Sequence, residues 1–345
     1  MRRCIELAAL GAGKVSPNPM VGAVIVHQGK IIGEGLHRKY GESHAEVNAV
    51  NAVLESYENA AQLLKESVIY VSLEPCAHQG KTPPCADLLI RHELKKVVVG
   101  CRDPFEHVNG RGIEKLRQAG IEVVENVLKD ECVLLNRRFF TRVKKQRPYI
   151  ILKWAQTADH FFAPDENQQR WISSEPAAIL NHRWRTEEDA VLVGKNTAMI
   201  DNPQLNVRKW TGRDPKRIVI DRNLELPASL NIFDQSQDTI IFNAKKTDVD
   251  GRIKYLELED FDRYLPQLIC YQLYLMDIQS VIIEGGAKTL EMFINAGLWD
   301  ESRIFTSPDY WITGTKAPDV GGRVIEDRFI GRDRLRVLLN GDPGL

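Results

Sequence analysis

The sequence predicts two α/β domains joined near residue 146. Three observations carry this expectation. At 345 residues the chain exceeds the usual length of one domain. Short β-branched apolar runs alternate with amphipathic stretches in both halves, the pattern of sheets covered by helices. Between the halves lies Lys144-Lys145-Gln146-Arg147-Pro148, a charged, proline-terminated connector that closes one helical pattern before a new strand begins. The expected domains are therefore residues 1–145 and 146–345.

Each element follows from local pattern. Residues 2–10 read as a helix stopped by Gly11 and Gly13. Residues 21–26 and 31–32 flank Gln28-Gly29-Lys30, a strand–turn–strand signal. Ser43 opens a periodic run through Val47, Val50, Val53 and Leu54, so a helix is expected to start near His44. A buried strand over 68–73 leads into Glu74-Pro75-Cys76, and Pro83-Pro84 suits the first turn of the next helix. Strands over 97–99 and 121–124 enclose a helix around 113–118, and 132–143 forms one amphipathic run. In the second half the clearest strands are 149–152, 190–193, 217–220, 239–242 and 281–283, which predicts a mainly parallel sheet.

Composition narrows the function. A net charge of −1 with 27% charged residues describes an ordinary globular protein and argues against a dedicated nucleic-acid binder. No apolar run reaches the roughly 18 residues of a membrane span. Met1-Arg2-Arg3-Cys4-Ile5-Glu6 carries an early acid and lacks the apolar core of a secretory signal. Six cysteines in so long a chain do not suggest a disulfide framework. The expected location is the cytoplasm. The expected partners are small molecules and further copies of the chain, with no nucleic acid and no membrane.

The strongest constellation is His44-Ala45-Glu46, then Pro75-Cys76, then Pro84-Cys85. Catalytic zinc takes three protein ligands and keeps a fourth position open. His44, Cys76 and Cys85 supply such a set for one Zn²⁺. The metal lowers the pKa of water from ~15.7 toward about 7. A nearby carboxylate must then move protons, and Glu46 is the candidate; such help is worth roughly 10²–10⁴ in rate. The expected chemistry is hydrolytic removal of an amine. Each piece also has a plainer explanation. Ser43 to Glu46 spells a capping box, and each cysteine could be a small buried side chain. Residues two apart on a regular helix point to nearly opposite sides, so His44 and Glu46 can share a site only if His44 lies at an irregular helix start. The conjunction of all three elements favours metal.

The second half lacks a G-x-G-x-x-G after its first strand. It has Val281-Ile282-Ile283-Glu284-Gly285-Gly286, a buried strand entering two glycines and then a helix, where a phosphate could meet backbone N–H groups. A strand followed by Gly-Gly is also simply a tight turn. Residues 191–197, with Asp201, Leu205 and Arg208 beyond, offer a glycine turn, a hydroxyl, a carboxylate and a guanidinium after one strand.

His44-Ala45-Glu46 with the two Pro-Cys elements resembles the cytidine-deaminase superfamily, whose signature is H-x-E followed by P-C-x-x-C. Here eight residues, not two, separate the cysteines. Residues 74–85 and Pro17-Asn18-Pro19-Met20-Val21-Gly22 resemble the bifunctional riboflavin-biosynthesis deaminase–reductase family, as do 149–153, 171–174, 191–208, 284–286 and 297–301. The resemblance implies a cytidine-deaminase-like α/β/α domain followed by a dihydrofolate-reductase-like α/β domain. It implies that Asn18 holds the pyrimidine and that Lys81 and Thr82 lie near the substrate phosphate. Ala155, Trp171, Thr197, Asp201 and Arg222 would contact NADPH, together with the turn and helix start Gly286, Ala287, Lys288, Thr289, Leu290, Glu291 and Met292. Lys153, Gln169, Arg185, Leu205, Arg208 and Glu284 would face the substrate, where guanidinium forks suit a sugar phosphate.

The implied activities are deamination of 2,5-diamino-6-ribosylamino-4(3H)-pyrimidinone 5′-phosphate and NADPH reduction of its ribosyl group to ribityl. The chain departs from the family pattern at Phe105, which follows Asp103-Pro104 where an asparagine is usual, and at His160, Gln169 and Arg222. Residues 321–345 do not track the family. Two other readings stay open. One is a zinc deaminase of another nucleotide, or of nucleic acid, with a C-terminal binding domain. The other is a non-catalytic zinc module, which would need a fourth protein ligand.

Overall fold

A computed structural model of the chain describes residues 1–77, 83–105, 108–164 and 172–341. The chain separates into two compact units, Met1–Lys145 and the remainder from Gln146.

The first unit opens with helix α1 (Arg2–Ala9). Strand β1 (Gly22–His27) then turns into antiparallel β2 (Lys30–Leu36). Gln28 and Gly29 both have positive φ, the backbone that matches a two-residue turn to the twist of its strands. Helices α2 (Ala45–Ser56) and α3 (Ala60–Lys65) precede β3 (Val68–Leu73), and α4 (Cys85–Arg91) leads to β4 (Lys96–Cys101). Next come α5 (Arg111–Gln118), β5 (Glu122–Val124), α6 (Lys129–Leu135) and α7 (Arg137–Lys145). The sheet order is β2-β1-β3-β4-β5, antiparallel on the hairpin side and parallel from β3 to β5. Val50 and Val53 of α2, Leu89 of α4 and Ile113 of α5 bury against Ile25, Ile69 and Val97 of the sheet.

The run 132–143, expected as one amphipathic helix, is divided at Asn136. Its buried side chain accepts the Met20 N–H at 2.8 Å and donates to the Met20 carbonyl at 2.8 Å. A side chain that pairs with distant backbone competes with regular helix geometry. Here it ties the loop bearing Asn18 to the helices.

The second unit begins with β6 (Tyr149–Gln156) and β7 (Phe161–Ala163), followed by α8 (Glu175–Glu187), β8 (Ala190–Gly194) and α9 (Lys195–Asp201). After β9 (Lys216–Ile220), β10 (Thr239–Asn243), β11 (Asp248–Asp250) and β12 (Ile253–Glu257) comes α10 (Phe261–Leu275). Then follow β13 (Ser280–Gly285), α11 (Ala287–Asn295), β14 (Glu301–Thr306), β15 (Thr315–Lys316), β16 (Arg323–Ile330) and β17 (Asp333–Leu339). The main sheet runs β11-β12-β10-β9-β8-β13-β6-β14-β17-β16. Its seven central strands, β12 to β14, are parallel, as the alternation of patterns predicts. Neighbouring residues serve opposite faces: Ile150 and Leu152 join one apolar cluster, Tyr149 and Ile151 another. Covered on both faces, these strands read as continuous apolar runs.

The segment to which the sequence assigned no role forms the β16–β17 hairpin up to residue 341. β17 buries Leu335 and Val337 and pairs antiparallel with β14. β16 leaves nearly all its side chains in solvent, so no apolar alternation marked it as a strand.

Three outcomes follow for stability. Asn136→Ala removes two buried hydrogen bonds and is expected to destabilise the first unit by about 2 kcal/mol, seen as a lower urea midpoint. Phe293→Ala empties a fully buried site in α11 and should cost the second unit about 3–5 kcal/mol. Tyr310→Ala, at an exposed position, should stay within about 0.5 kcal/mol of the parent.

Candidate active sites

In the first unit His44 is the N-cap of α2, with extended φ −70° and ψ 164°. The helix proper begins at Ala45, so His44 and Glu46 are not two residues of one regular turn. The capping box does not form: the Ser43 carbonyl accepts from His37 and Asn48, and no side chain caps the helix. His44 turns its Nδ1 toward both sulfurs, 3.7 Å from Cys76 Sγ and 3.3 Å from Cys85 Sγ. All three donor atoms lie within 4.8 Å of one another. Zinc bonds of about 2.05 Å to nitrogen and about 2.3 Å to sulfur, at a tetrahedral angle, place such donors about 3.5 Å apart. The residues present therefore fit the ion. Among the described residues no other His, Cys, Asp or Glu joins this group.

Strand and helix ends set the cysteines. Cys76 follows β3, and Cys85 opens α4, with its own N–H donating to Cys76 Sγ at 3.3 Å. The Cys85 hydrogen bond, with His44 beside it, pulls the Cys76 thiol well below its ordinary pKa, which favours the thiolate that a metal binds. Glu46 is buried, and Cys85 lies against it. Burial, reinforced by Cys76, pushes its carboxyl up to about 7.

Three supports were not anticipated from the sequence. His37 is buried, takes its ring proton to the Ser43 carbonyl at 3.1 Å and meets Asn18 Nδ2 through Nε2 at 3.1 Å. Its ring stands edge-on to His44 with centroids 5.5 Å apart. Glu74, at the end of β3, accepts backbone N–H bonds from Asp103, Gly110, Gly112 and Ile113 at 2.9–3.4 Å. This clamps the start of α5 two residues from Cys76. Asn136 holds Met20, as described above. Of these, Asn136 alone left a trace, as an amide inside an apolar run. Lys81 and Thr82 lie outside the described residues.

The second unit contains a cleft of about 990 Å³. Its floor is a charged cluster from β6, α8 and β13. Arg185 forks onto Glu284 at 2.9 and 2.7 Å, Asn181 adds a bond at 3.2 Å, and Lys153 stands nearby. Burial opposes ionisation of Glu284, but Arg185 and Lys153 outweigh it and hold the carboxyl down at about 2. Burial lowers the Lys153 pKa, Glu284 opposes the shift and Arg185 adds to it. Arg185, expected to meet a sugar phosphate, is thus already engaged with a carboxylate, whereas Arg208 has no acidic partner among the described residues.

Ala155, Thr197, Asp201 and Arg222 line the cleft, as do Leu205 and Arg208. Arg222 forks onto Asp262 at its edge. Gly285 adopts φ +145°, a conformation open essentially to glycine, and α11 then starts at Gly286 with no side-chain cap. Gly286, Ala287, Lys288, Thr289 and Met292 line the cleft beside that helix start, which suits a phosphate. Leu290 and Glu291 do not: Leu290 is fully buried in the core and Glu291 is exposed on the outer face of α11. Helical periodicity turns those two positions away. Trp171 and Gln169 lie outside the described residues. Asn181 and His182 are further cleft residues, and no local motif marks either of them.

Comparison with known proteins bears on both units. Residues 1–101 match the cytidine and deoxycytidylate deaminase zinc-binding region, and residues 148–320 match the RibD C-terminal domain. The riboflavin biosynthesis protein RibD of Aquifex aeolicus is 39% identical over 334 residues, covering 95% of this chain and 91% of that protein. The Escherichia coli RibD is 34% identical, covering 89% and 86%. A Thermotoga maritima crystal structure, described as a diaminohydroxyphosphoribosylaminopyrimidine deaminase/5-amino-6-(5-phosphoribosylamino)uracil reductase, superposes with a TM-score of 0.89 at 36% identity, covering 98% and 97%. The chain belongs to the RibD family, bifunctional riboflavin-biosynthesis enzymes that join a zinc-binding deaminase domain to a reductase domain.

Proposed function

We propose that residues 1–145 deaminate 2,5-diamino-6-ribosylamino-4(3H)-pyrimidinone 5′-phosphate and that the remainder, from residue 146, reduces the ribosyl group of the product to ribityl with NADPH. The observation that carries the first assignment is the convergence of His44, Cys76 and Cys85 with Glu46 buried beside them. These three residues would hold zinc, whose Lewis acidity makes water acidic enough to act as a nucleophile at neutral pH. Glu46 takes one proton from the attacking water and passes it to the ring nitrogen, then carries a second, from the hydroxyl left on the ring carbon, to the amino group that departs as ammonia. Asn18 orients the pyrimidine. Its Nδ2 is held by His37, which leaves the amide oxygen to accept from an N–H of the ring. The buried surroundings of Glu46 raise its proton affinity, so it can both accept and donate.

In the second unit the start of α11, with Thr197 and Asp201 of α9, lines the cleft and would hold the dinucleotide phosphates. NADPH supplies hydride when bound. The opened sugar lies over Lys153 and Glu284, and Arg208 takes the phosphate. Lys153 loses its proton more readily than a solvated lysine, which suits it to deliver a proton to the sugar oxygen that develops charge. The requirement for NADPH rather than NADH rests on the family resemblance, supported by the cation Lys288 along the cleft.

Incubation with the diaminopyrimidine ribotide should release ammonia and then oxidise NADPH in equal amounts. Glu46→Gln is expected to retain zinc while ammonia release falls at least ~10²-fold, with reduction of pre-deaminated substrate unchanged. Equal ammonia release by that variant would remove Glu46 from its role. Cys76→Ala should lose the metal by elemental analysis, and full zinc content would overturn the ligand set.

A further inference from the structure

The loop carrying Arg208 is fastened residue by residue. Asn202 and Leu205 both have positive φ, at 40° and 51°, so the segment depends on ties to stay in place. The Gln204 carbonyl accepts Arg217 Nε at 2.9 Å, and the Leu205 carbonyl accepts Gln237 Nε2 at 3.3 Å. The Asn206 carbonyl accepts Arg185 Nη1 at 2.9 Å, and the Val207 N–H reaches Asp214 at 2.6 Å. His182 makes the tie at Arg208 itself. Its Nδ1 accepts the Arg208 N–H at 3.3 Å from a side chain that is 4% exposed. Beyond it Lys209 and Trp210 are solvent-exposed.

His182 lies three residues before Arg185 on α8, so both project from the same helix face into the cleft. A ring that accepts through Nδ1 is neutral and carries its proton on Nε2. The surroundings enforce that state: burial disfavours the imidazolium first, then Arg185 and Arg208, against smaller support from Glu284 and the Asn206 carbonyl. A protonated ring would turn its acceptor into a donor facing a backbone N–H. The arrangement therefore selects a neutral acceptor beside two guanidiniums. Arg185 is neutralised by Glu284, whereas Arg208 has only the Asn206 side-chain oxygen, at 3.1 Å, among the described residues. An anionic group at this end of the cleft meets Arg208 first.

We propose that His182 is a positioning residue for the reductase reaction, fixing the backbone of Arg208 so that its guanidinium meets the phosphate of the sugar-phosphate substrate. This rests on the reading of Arg208 as the phosphate contact. His182 acts on substrate affinity and on discrimination between phosphorylated and unphosphorylated substrate, and leaves the hydride step to the groups on the cleft floor.

The test uses the intact protein, following NADPH oxidation with the deaminated ribotide and with the same compound lacking its phosphate. His182→Phe keeps a flat ring but lacks the acceptor. It should raise KM for the ribotide about tenfold, change kcat less than about twofold, and leave the dephosphorylated compound unaffected. His182→Asn places an amide oxygen near the Nδ1 position and should bring KM back to within about threefold of the parent. Equal losses on both compounds, or failure of His182→Asn to recover where His182→Phe fails, would show a packing role and overturn the proposal. Arg208→Ala separates the two levels. If it raises the ribotide KM while His182→Phe does not, the positioning role is wrong and the phosphate contact stands. If Arg208→Ala itself leaves KM unchanged, the contact is wrong and the proposal fails with it.

Discussion

The extended backbone at His44 is the joint on which the deaminase site depends. A helix places successive side chains about 100° apart, so a histidine and a glutamate two positions apart cannot face one cation from a regular turn. Ending the helix at Ala45 frees the imidazole to swing toward two sulfurs while Glu46 stays in the first turn. The sulfurs come from equally irregular places, the exit of β3 and the first residue of α4. Regular elements carry these groups to the same place, and their interruptions aim them. The cleft in the second unit is built the same way, from the exits of β8 and β13 and the first turns of α9 and α11.

Around each site, buried charge is matched by fixed partners. Glu74 receives four backbone N–H groups and thereby holds the α5 start against the strand that presents Cys76. Glu284 keeps its charge in a dry position because Arg185, Lys153 and Asn181 surround it. An unpartnered carboxylate at either place would neutralise itself or drag in water. The partners also impose order: Arg185 cannot leave Glu284 without exposing a buried charge, so the floor of the cleft is a stiff platform.

Much of this was legible in the sequence. The apolar runs at 68–73, 190–193 and 281–283 became central strands because β-branched residues in short, bounded runs have few other destinations. The grouping of His44, Cys76 and Cys85 was legible because its marks are local, a proline-cysteine after a strand and another before a helix. What was hidden depends on long-range pairing. Glu74 and His182 act through backbone groups far away in the chain, and His37 reaches Asn18 across 19 residues; a lone histidine or glutamate carries no mark of such a partner. The family resemblance takes in Leu290 and Glu291 with the rest of the helix start, although the 3.6-residue period sends one into the core and the other outward. The division at Asn136 escaped because a periodic apolar pattern continues across it.

The β16 strand at the rim of the large sheet has a consequence for colloidal behaviour. Its outer row of peptide groups has no neighbouring strand among the described residues, and Val324, Ile325 and Phe329 are exposed along it. A bare rim of that kind is a template for open-ended accretion of chains. Arg323, Glu326, Asp327 and Arg328 intersperse both signs of charge among those apolar side chains. A chain approaching in the wrong register meets like charge or strands an ion against hydrocarbon, so the same eight residues that finish the sheet also act as its gatekeepers.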